Sequence, residues 1–266
     1  MCVGGGPVTL RRVVTLALAV LALALAAAPA GAITFGQLDQ GRHPEVGALV
    51  VQFPNGAKDW ICSGTLIAPK VFLTAAHCID VEGQRVWVTF AEDADVGIAK
   101  KKLVAGVAHP HPLFGFGGMS DAHDVAVVLL DRSVRGVAPA QLPQTGLLDG
   151  IDLRSQVFTA VGYGGVREDK TGGFAPIFYD GVRRFALQTF LSLQDAWLSL
   201  SMQPSTGDGG TCYGDSGGPH YLGDETSHLI VSLTVTGDAP CRATDKTYRL
   251  DTASARDFLD DYVALP

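Results

Sequence analysis

"CYGDSGGP", residues 212–219, is the stretch whose reading decides the fold. Three glycines crowd around Ser216, and Gly214-Asp215-Ser216-Gly217-Gly218 fits the Gly-x-Ser-x-Gly spacing of a strand-to-helix turn above a parallel α/β sheet. That arrangement needs a helix directly after the serine and then an aspartate and a histidine further along the chain. Pro219 and the strand-like "HYLG" at 220–223 oppose a helix, and no strand–helix–strand alternation surrounds them. The serine turn therefore belongs to a β-rich chain.

Working outward, short apolar stretches recur with turn residues between them. They are "GALVVQF" (47–53), "WICSGTLI" (60–67), "KVFLTA" (70–75), "RVWVTF" (85–90), "DVAVVLL" (124–130), "QVFTAVGYG" (156–164) and "HLIVSLTVTG" (228–237). They are rich in Val, Leu, Phe and Thr, and 32 glycines and 14 prolines punctuate the chain, which predicts an all-β sandwich or barrel. One stretch has helical spacing: "TASARDFLDDYVAL" (252–265), with Ala255, Phe258, Leu259, Tyr262 and Val263 on one face. An internal boundary is expected in "VAPAQLPQTGLLDG" (137–150), where Pro139, Pro143 and Gly146 interrupt the strand signals.

Near the start, "VVTLALAVLALALAAA" (13–28) runs without a charge after Arg11-Arg12 and before Pro29 and the small triplet Ala30-Gly31-Ala32. This reads as a signal peptide, residues 1–32, cut after Ala32, because a run of this length falls short of the roughly 20 residues that span a bilayer. The mature chain is then expected outside the cell and free of the membrane. The leader has a bacterial style. Its removal leaves 18 basic against 27 acidic side chains, which argues against a nucleic-acid partner. Of five cysteines Cys2 leaves with the leader, and Cys62, Cys78, Cys212 and Cys241 remain. An even set in an oxidising compartment implies disulfides, with three pairings open, and no spacing is that of a zinc site.

Three stretches carry chemistry: "LTAAHC" (73–78), "DVAVVLL" (124–130) and "CYGDSGGP" (212–219). A serine hydroxyl is a weak nucleophile near neutral pH unless a base takes its proton, and imidazole, with a reference pKa of about 6.5, suits that task. In the order His77, Asp124, Ser216 these stretches resemble the chymotrypsin/trypsin family of serine peptidases over nearly the whole mature chain. The resemblance implies two antiparallel six-stranded β-barrels packed face to face with a C-terminal helix. Residues 33–145 would form the N-terminal barrel with His77 and Asp124, and residues 146–266 the C-terminal barrel with Ser216.

It also implies roles. His77 acts as base, Asp124 orients it, and Ser216 attacks, through an acyl-enzyme. The backbone N–H groups of Gly214 and Ser216 bind the oxyanion. Cys62 pairs with Cys78, and Cys212 with Cys241. The free amine of a mature Ile33 pairs with Asp215, although Thr34 and Phe35 depart from the usual start. Ser232, in "IVSLTV", matches the serine that bonds the catalytic aspartate and begins the substrate-pairing strand.

Six residues before the nucleophile, where trypsin-like enzymes carry an aspartate, stands Gly210, followed by Thr211, so an Arg/Lys preference is not supported. Thr234 is expected to narrow the pocket wall, and Lys246 to point into its floor. Two preferences follow: apolar side chains, or acidic ones if the Lys246 ammonium reaches inside. His109, His111 and His123 lack carboxylates at metal-ligand spacing and read as exposed loop histidines. Neither metal nor cofactor is called for; the expected partners are protein or peptide substrates of a monomer. The rival reading is a catalytically silent secreted homologue that keeps the barrels for binding.

Overall fold

Short, largely apolar runs rich in Val, Leu, Phe and Thr, broken by glycine and proline, favour short strands buried over much of their length. The computed structural model describes residues 33–118, 120–167 and 177–266; residues 1–32, read above as a signal peptide, lie outside the described residues. Six strands form the first closed barrel: β2 (Val46–Gln52), β3 (Lys58–Ala68), β4 (Val71–Thr74), β5 (Arg85–Thr89), β6 (Val104–Pro110) and β7 (Ala126–Leu130). The ring runs β2-β3-β4-β7-β6-β5 and closes through β2 against β5, with Ala48 opposite Thr89.

The second barrel takes β8 (Val157–Gly162), β9 (Arg184–Leu193), β10 (Trp197–Ser201), β11 (Pro219–Leu222), β12 (Ile230–Gly237) and β13 (Thr244–Arg249). Its order is β9-β10-β13-β12-β11-β8, and β8 pairs back onto β9, while the two-residue β1 (Gln37–Leu38) adds to the outside of β9. The fold is thus two closed six-stranded antiparallel barrels, as expected. Each has its own core. Leu49, Leu66, Phe72, Val86 and Val128 fill the first; Leu148, Phe158, Leu198, Leu200 and Val231 fill the second.

A third cluster lies where the barrels meet face to face. Val46, Leu73 and Val127 from one side pack with Tyr221, Leu233 and Tyr248 from the other, all fully buried. Arg183 and Tyr221, buried beside this seam, have their polar groups paired. Arg183 donates from Nε to Asp39 Oδ2 (2.9 Å) and from Nη1 to the Val46 carbonyl (2.9 Å) and Tyr163 Oη (3.1 Å). Tyr221 Oη donates to Glu45 (2.7 Å).

Two helices differ from expectation. The C-terminal helix α2 is shorter than its apolar pattern, Ala253–Asp260. Thr252 Oγ1 caps it by accepting from Ala255 N, and Ala255, Phe258 and Leu259 are buried as expected. Tyr262 and Val263 continue the apolar face beyond the helix, both N–H groups donating to the Leu259 carbonyl. The six-residue α1 (Ala94–Ala99) gave no periodic signal. It is started by Asp93, whose Oδ1 accepts from Val96 N at 2.8 Å.

Candidate active site

β4 ends at Thr74, and the chain enters a short 3-10 turn, Ala76–Cys78, that carries His77. A disulfide from Cys78 to Cys62 ties this turn to β3, and Thr74 Oγ1 donates to the Ser63 carbonyl at 2.8 Å. Asp124 lies two residues before β7, which pairs with β4 from Thr74 opposite Ala126 onward. The pairing brings the two side chains together. Asp124 accepts from His77 N at 2.9 Å through Oδ1 and lies 2.8 Å from His77 Nδ1 through Oδ2. A carboxylate can only accept, so Nδ1 carries the proton and Nε2 keeps its lone pair. Asp124 is buried, whereas the imidazole remains about a third exposed.

The serine turn docks against the same structure from the second barrel. Ser63 N donates to the Ser216 carbonyl at 2.9 Å, and Cys78 Sγ lies 3.8 Å from that oxygen. Gly217 presses on the end of β4: a Cβ there would stand 2.2 Å from Thr74 Oγ1. Ser216 thereby sits beside the histidine turn. No hydrogen bond joins His77 Nε2 to the Ser216 hydroxyl among the described residues, and such bonds are often loose before substrate arrives. Gly214 adopts a φ of +97°, a region that glycine enters without strain.

Asp215 is wholly buried. Its carboxyl accepts from Gly164 N (2.7 Å) and Cys212 N (2.8 Å), and burial pushes its pKa up to about 7 against the lowering effect of those bonds. Ile33 is also fully buried, packed on Ala160 and Ala186. Its nitrogen is in peptide linkage to Ala32, so no ion pair joins it to Asp215 in this chain. Thr34 pairs in both directions with Gly210, N to O at 2.8 Å and O to N at 2.9 Å.

Beside Ser216 opens a cavity of about 200 Å3 lined by Thr211, Thr234, Val235, Thr236, Gly237 and the Cys212–Cys241 disulfide, among others. Both disulfides pair as the resemblance implied. Gly210 lies against Met202 and Gln188, and a Cβ there would meet Met202 Cγ at 2.3 Å, so the position has no room for a side chain.

Three expectations need correction. Lys246 does not enter the cavity: its Nζ lies 4.5 Å from the centre of the Trp197 ring. Alternation along β13 turns its neighbour Asp245 inward instead, fully buried, with Oδ2 accepting from Thr211 Oγ1 (2.7 Å) and Gln188 Nε2 (3.0 Å). Ser232 does not reach Asp124; it is buried opposite His220 and Arg249, and its Oγ accepts from Thr247 Oγ1 at 2.8 Å. Two residues later Thr234 bonds the serine turn through its backbone, its N donating to the Gly218 carbonyl at 2.9 Å and its carbonyl accepting from Gly217 N at 2.8 Å. The loop histidines are not all exposed, because α2 covers them: His111 is buried, stacked on His123 at 4.6 Å and against Phe258 at 5.0 Å.

Sequence reasoning missed Asp245, Gln188 and His220 beneath the cavity. The period-two pattern of "TDKTYR" (244–249) separates Asp245 from Lys246, yet it does not say which of them faces inward. Among the described residues one group has metal-ligand proximity, Cys62, His77 and Cys78, and its two cysteines are consumed by the disulfide.

Fold and site together define a double-barrel protein of the chymotrypsin-like class. The pattern of the Trypsin family matches residues 39–255, and the chain belongs to that family of serine peptidases. It is 31% identical over 209 residues to "Chymotrypsin" of Phaedon cochleariae, covering 73% of this chain and 69% of that protein. It is 24% identical to the CLIP domain-containing serine protease B15 of Anopheles gambiae, over 70% of this chain and 57% of the relative. With the Suppressor of tumorigenicity 14 protein homolog of Bos taurus it shares 26% identity over 78% of this chain, but spans only 25% of that longer protein. These relatives are insect and mammalian and lend no support to the bacterial style read in the leader. Among solved structures the fold is shared with HL collagenase (TM-score 0.61, 18% identity, 82% of this chain and 93% of that one) and with GrC (0.62, 17%, 86% and 98%).

Proposed function

We propose that the chain is an exported serine endopeptidase. His77 Nε2 takes the proton from Ser216 Oγ as it attacks a peptide carbonyl, and returns it to the leaving amine. Asp124 holds the tautomer and stabilises the imidazolium. The N–H groups of Gly214 and Ser216 receive the oxyanion, one such donor being worth roughly 3 kcal/mol. The resulting acyl-enzyme is cleared by water that His77 activates in the same way. Residues 33–145 and 146–266 serve as the two halves of the site. Gly210 supplies no acid in the usual place for binding Arg or Lys.

Removal of residues 1–32 would free the Ile33 amine, and that cation would meet the buried Asp215 carboxylate behind the oxyanion turn. Export would thereby create the working terminus. The two disulfides suit an oxidising compartment, and among the described residues no helix is long and apolar enough to cross a membrane.

The observation that carries the reading is the His77–Asp124 hydrogen-bonded pair with the Ser216 turn docked on the histidine turn. A fluorophosphonate probe should label the purified protein at Ser216, and Ser216→Ala should abolish labelling. A folded protein that stays unlabelled would favour the silent binding homologue. N-terminal sequencing of the exported protein should begin at Ile33.

A further inference from the structure

The cavity beside Ser216 stands over a buried polar cluster. Asp245 Oδ2 is engaged by Thr211 and Gln188, and among the described residues no group bonds Oδ1. His220 is also fully buried, its Nε2 3.0 Å from Thr234 Oγ1 and 3.5 Å from Asp245 Oδ2. Burial holds the His220 pKa down, opposed by the nearby Asp245 charge, so at neutral pH the ring is uncharged and does not cancel the carboxylate. Lys246 rests on Trp197. The field beneath the cavity floor is therefore negative.

Thr211 spends its single O–H on Asp245, which leaves its oxygen as an acceptor toward the cavity it lines. A carboxylate entering from above would meet lone pairs with a like charge behind them. An aliphatic tip would leave those lone pairs dry and unpaired. An ammonium, guanidinium or amide N–H would satisfy them.

We propose, on the footing that the chain is a working peptidase, that Asp245 acting through Thr211 makes the primary pocket selective for side chains that end in an N–H donor: lysine, arginine and glutamine rather than acidic or aliphatic ones. Asp245 is a positioning residue here. It orients the Thr211 hydroxyl and sets the sign of the field, and it does so from β13 rather than from position 210, which has no space for an acid.

The test uses the purified protein, its active sites first counted with the fluorophosphonate probe, and four peptides identical except for the residue before the scissile bond. Lysine is compared with norleucine, which keeps most of the aliphatic stem but lacks the terminal ammonium, and glutamine with the isosteric glutamate, so each comparison removes the N–H donor. In each pair the donor should lead in kcat/KM by at least about tenfold, the discrimination one charge-assisted hydrogen bond supplies. Asp245→Asn should collapse the lysine-to-norleucine ratio toward one, a readout that a general loss of structure would not move selectively. If that variant fails to fold, Thr211→Val tests the same acceptor. Norleucine or glutamate equal to its partner, or ratios untouched by both variants, would overturn the pocket assignment while the peptidase reading stands. Absence of probe labelling would overturn both.

Discussion

The buried Asp215 makes a quantitative prediction about a chain whose Ile33 amine is unavailable. Take the protein begun at Ile33, with Ser216→Ala to prevent self-cleavage, and acetylate its terminus so that no cation can pair with Asp215. The unfolded carboxyl releases its proton near 3.8, whereas the folded one, wholly buried on two backbone N–H groups, holds it to about 7. Between those values the folded state binds more protons than the unfolded state, so stability is greatest at acid pH and falls as pH rises toward 7. Roughly three pH units at about 1.4 kcal/mol each amount to a loss of about 4 kcal/mol attributable to this one group. Urea unfolding at pH 4, 5, 6, 7 and 8 measures it, with acetylated Asp215→Asn as the reference that lacks the titration. The free-amine protein should lose far less over the same range, because the Ile33 cation stabilises the charged carboxylate. If acetylated protein and its Asp215→Asn variant change with pH in parallel to within about 1 kcal/mol, the burial argument is wrong.

Two further outcomes follow from the site. Asp124→Asn would present an amide N–H to Nδ1 and drive the His77 proton to Nε2, so kcat should fall by roughly ten-thousand-fold with little change in KM; a peptide assay showing less than a hundredfold loss would remove Asp124 from its orienting role. Gly210→Ala should lower stability by about 1 to 3 kcal/mol, since its methyl would stand 2.3 Å from Met202 Cγ and 2.6 Å from Gln188 Nε2; an unchanged thermal melt would refute the steric account of why no acid stands there.

Legibility in the sequence followed how far each signal depends on neighbours in the chain. Seven strand-like stretches, the helix face of Ala255, Phe258 and Leu259, and the motifs around His77, Asp124 and Ser216 are all local patterns. The stretch 184–201, which forms β9 and β10, is not among those seven patterns, and Arg184 and Gln188 within it are polar residues that the fold buries. In the fold Arg184 is paired with Asp180 through two bonds of 2.8 Å, and Gln188 with Asp245. A hydrogen-bonding partner, four residues away for Arg184 and 57 residues away for Gln188, is what makes each polar residue suitable for the interior.

The sequence by itself determined an all-β chain with a serine turn that cannot precede a helix, four cysteines after residue 32, and three chemically matched motifs in order. Only the tertiary structure decided which faces those residues present. Along β12 the register against β13 shifts between Thr234 and Thr236, so Thr234 opposes Thr247 while Thr236 opposes Lys246. That shift, together with the pairing of β13 to β10, turns Asp245 under the cavity and Lys246 onto Trp197. A period of two is written in the chain, but the choice between its two phases is made by strand partners from elsewhere in the barrel, and here that choice sets the sign of the charge beneath the pocket.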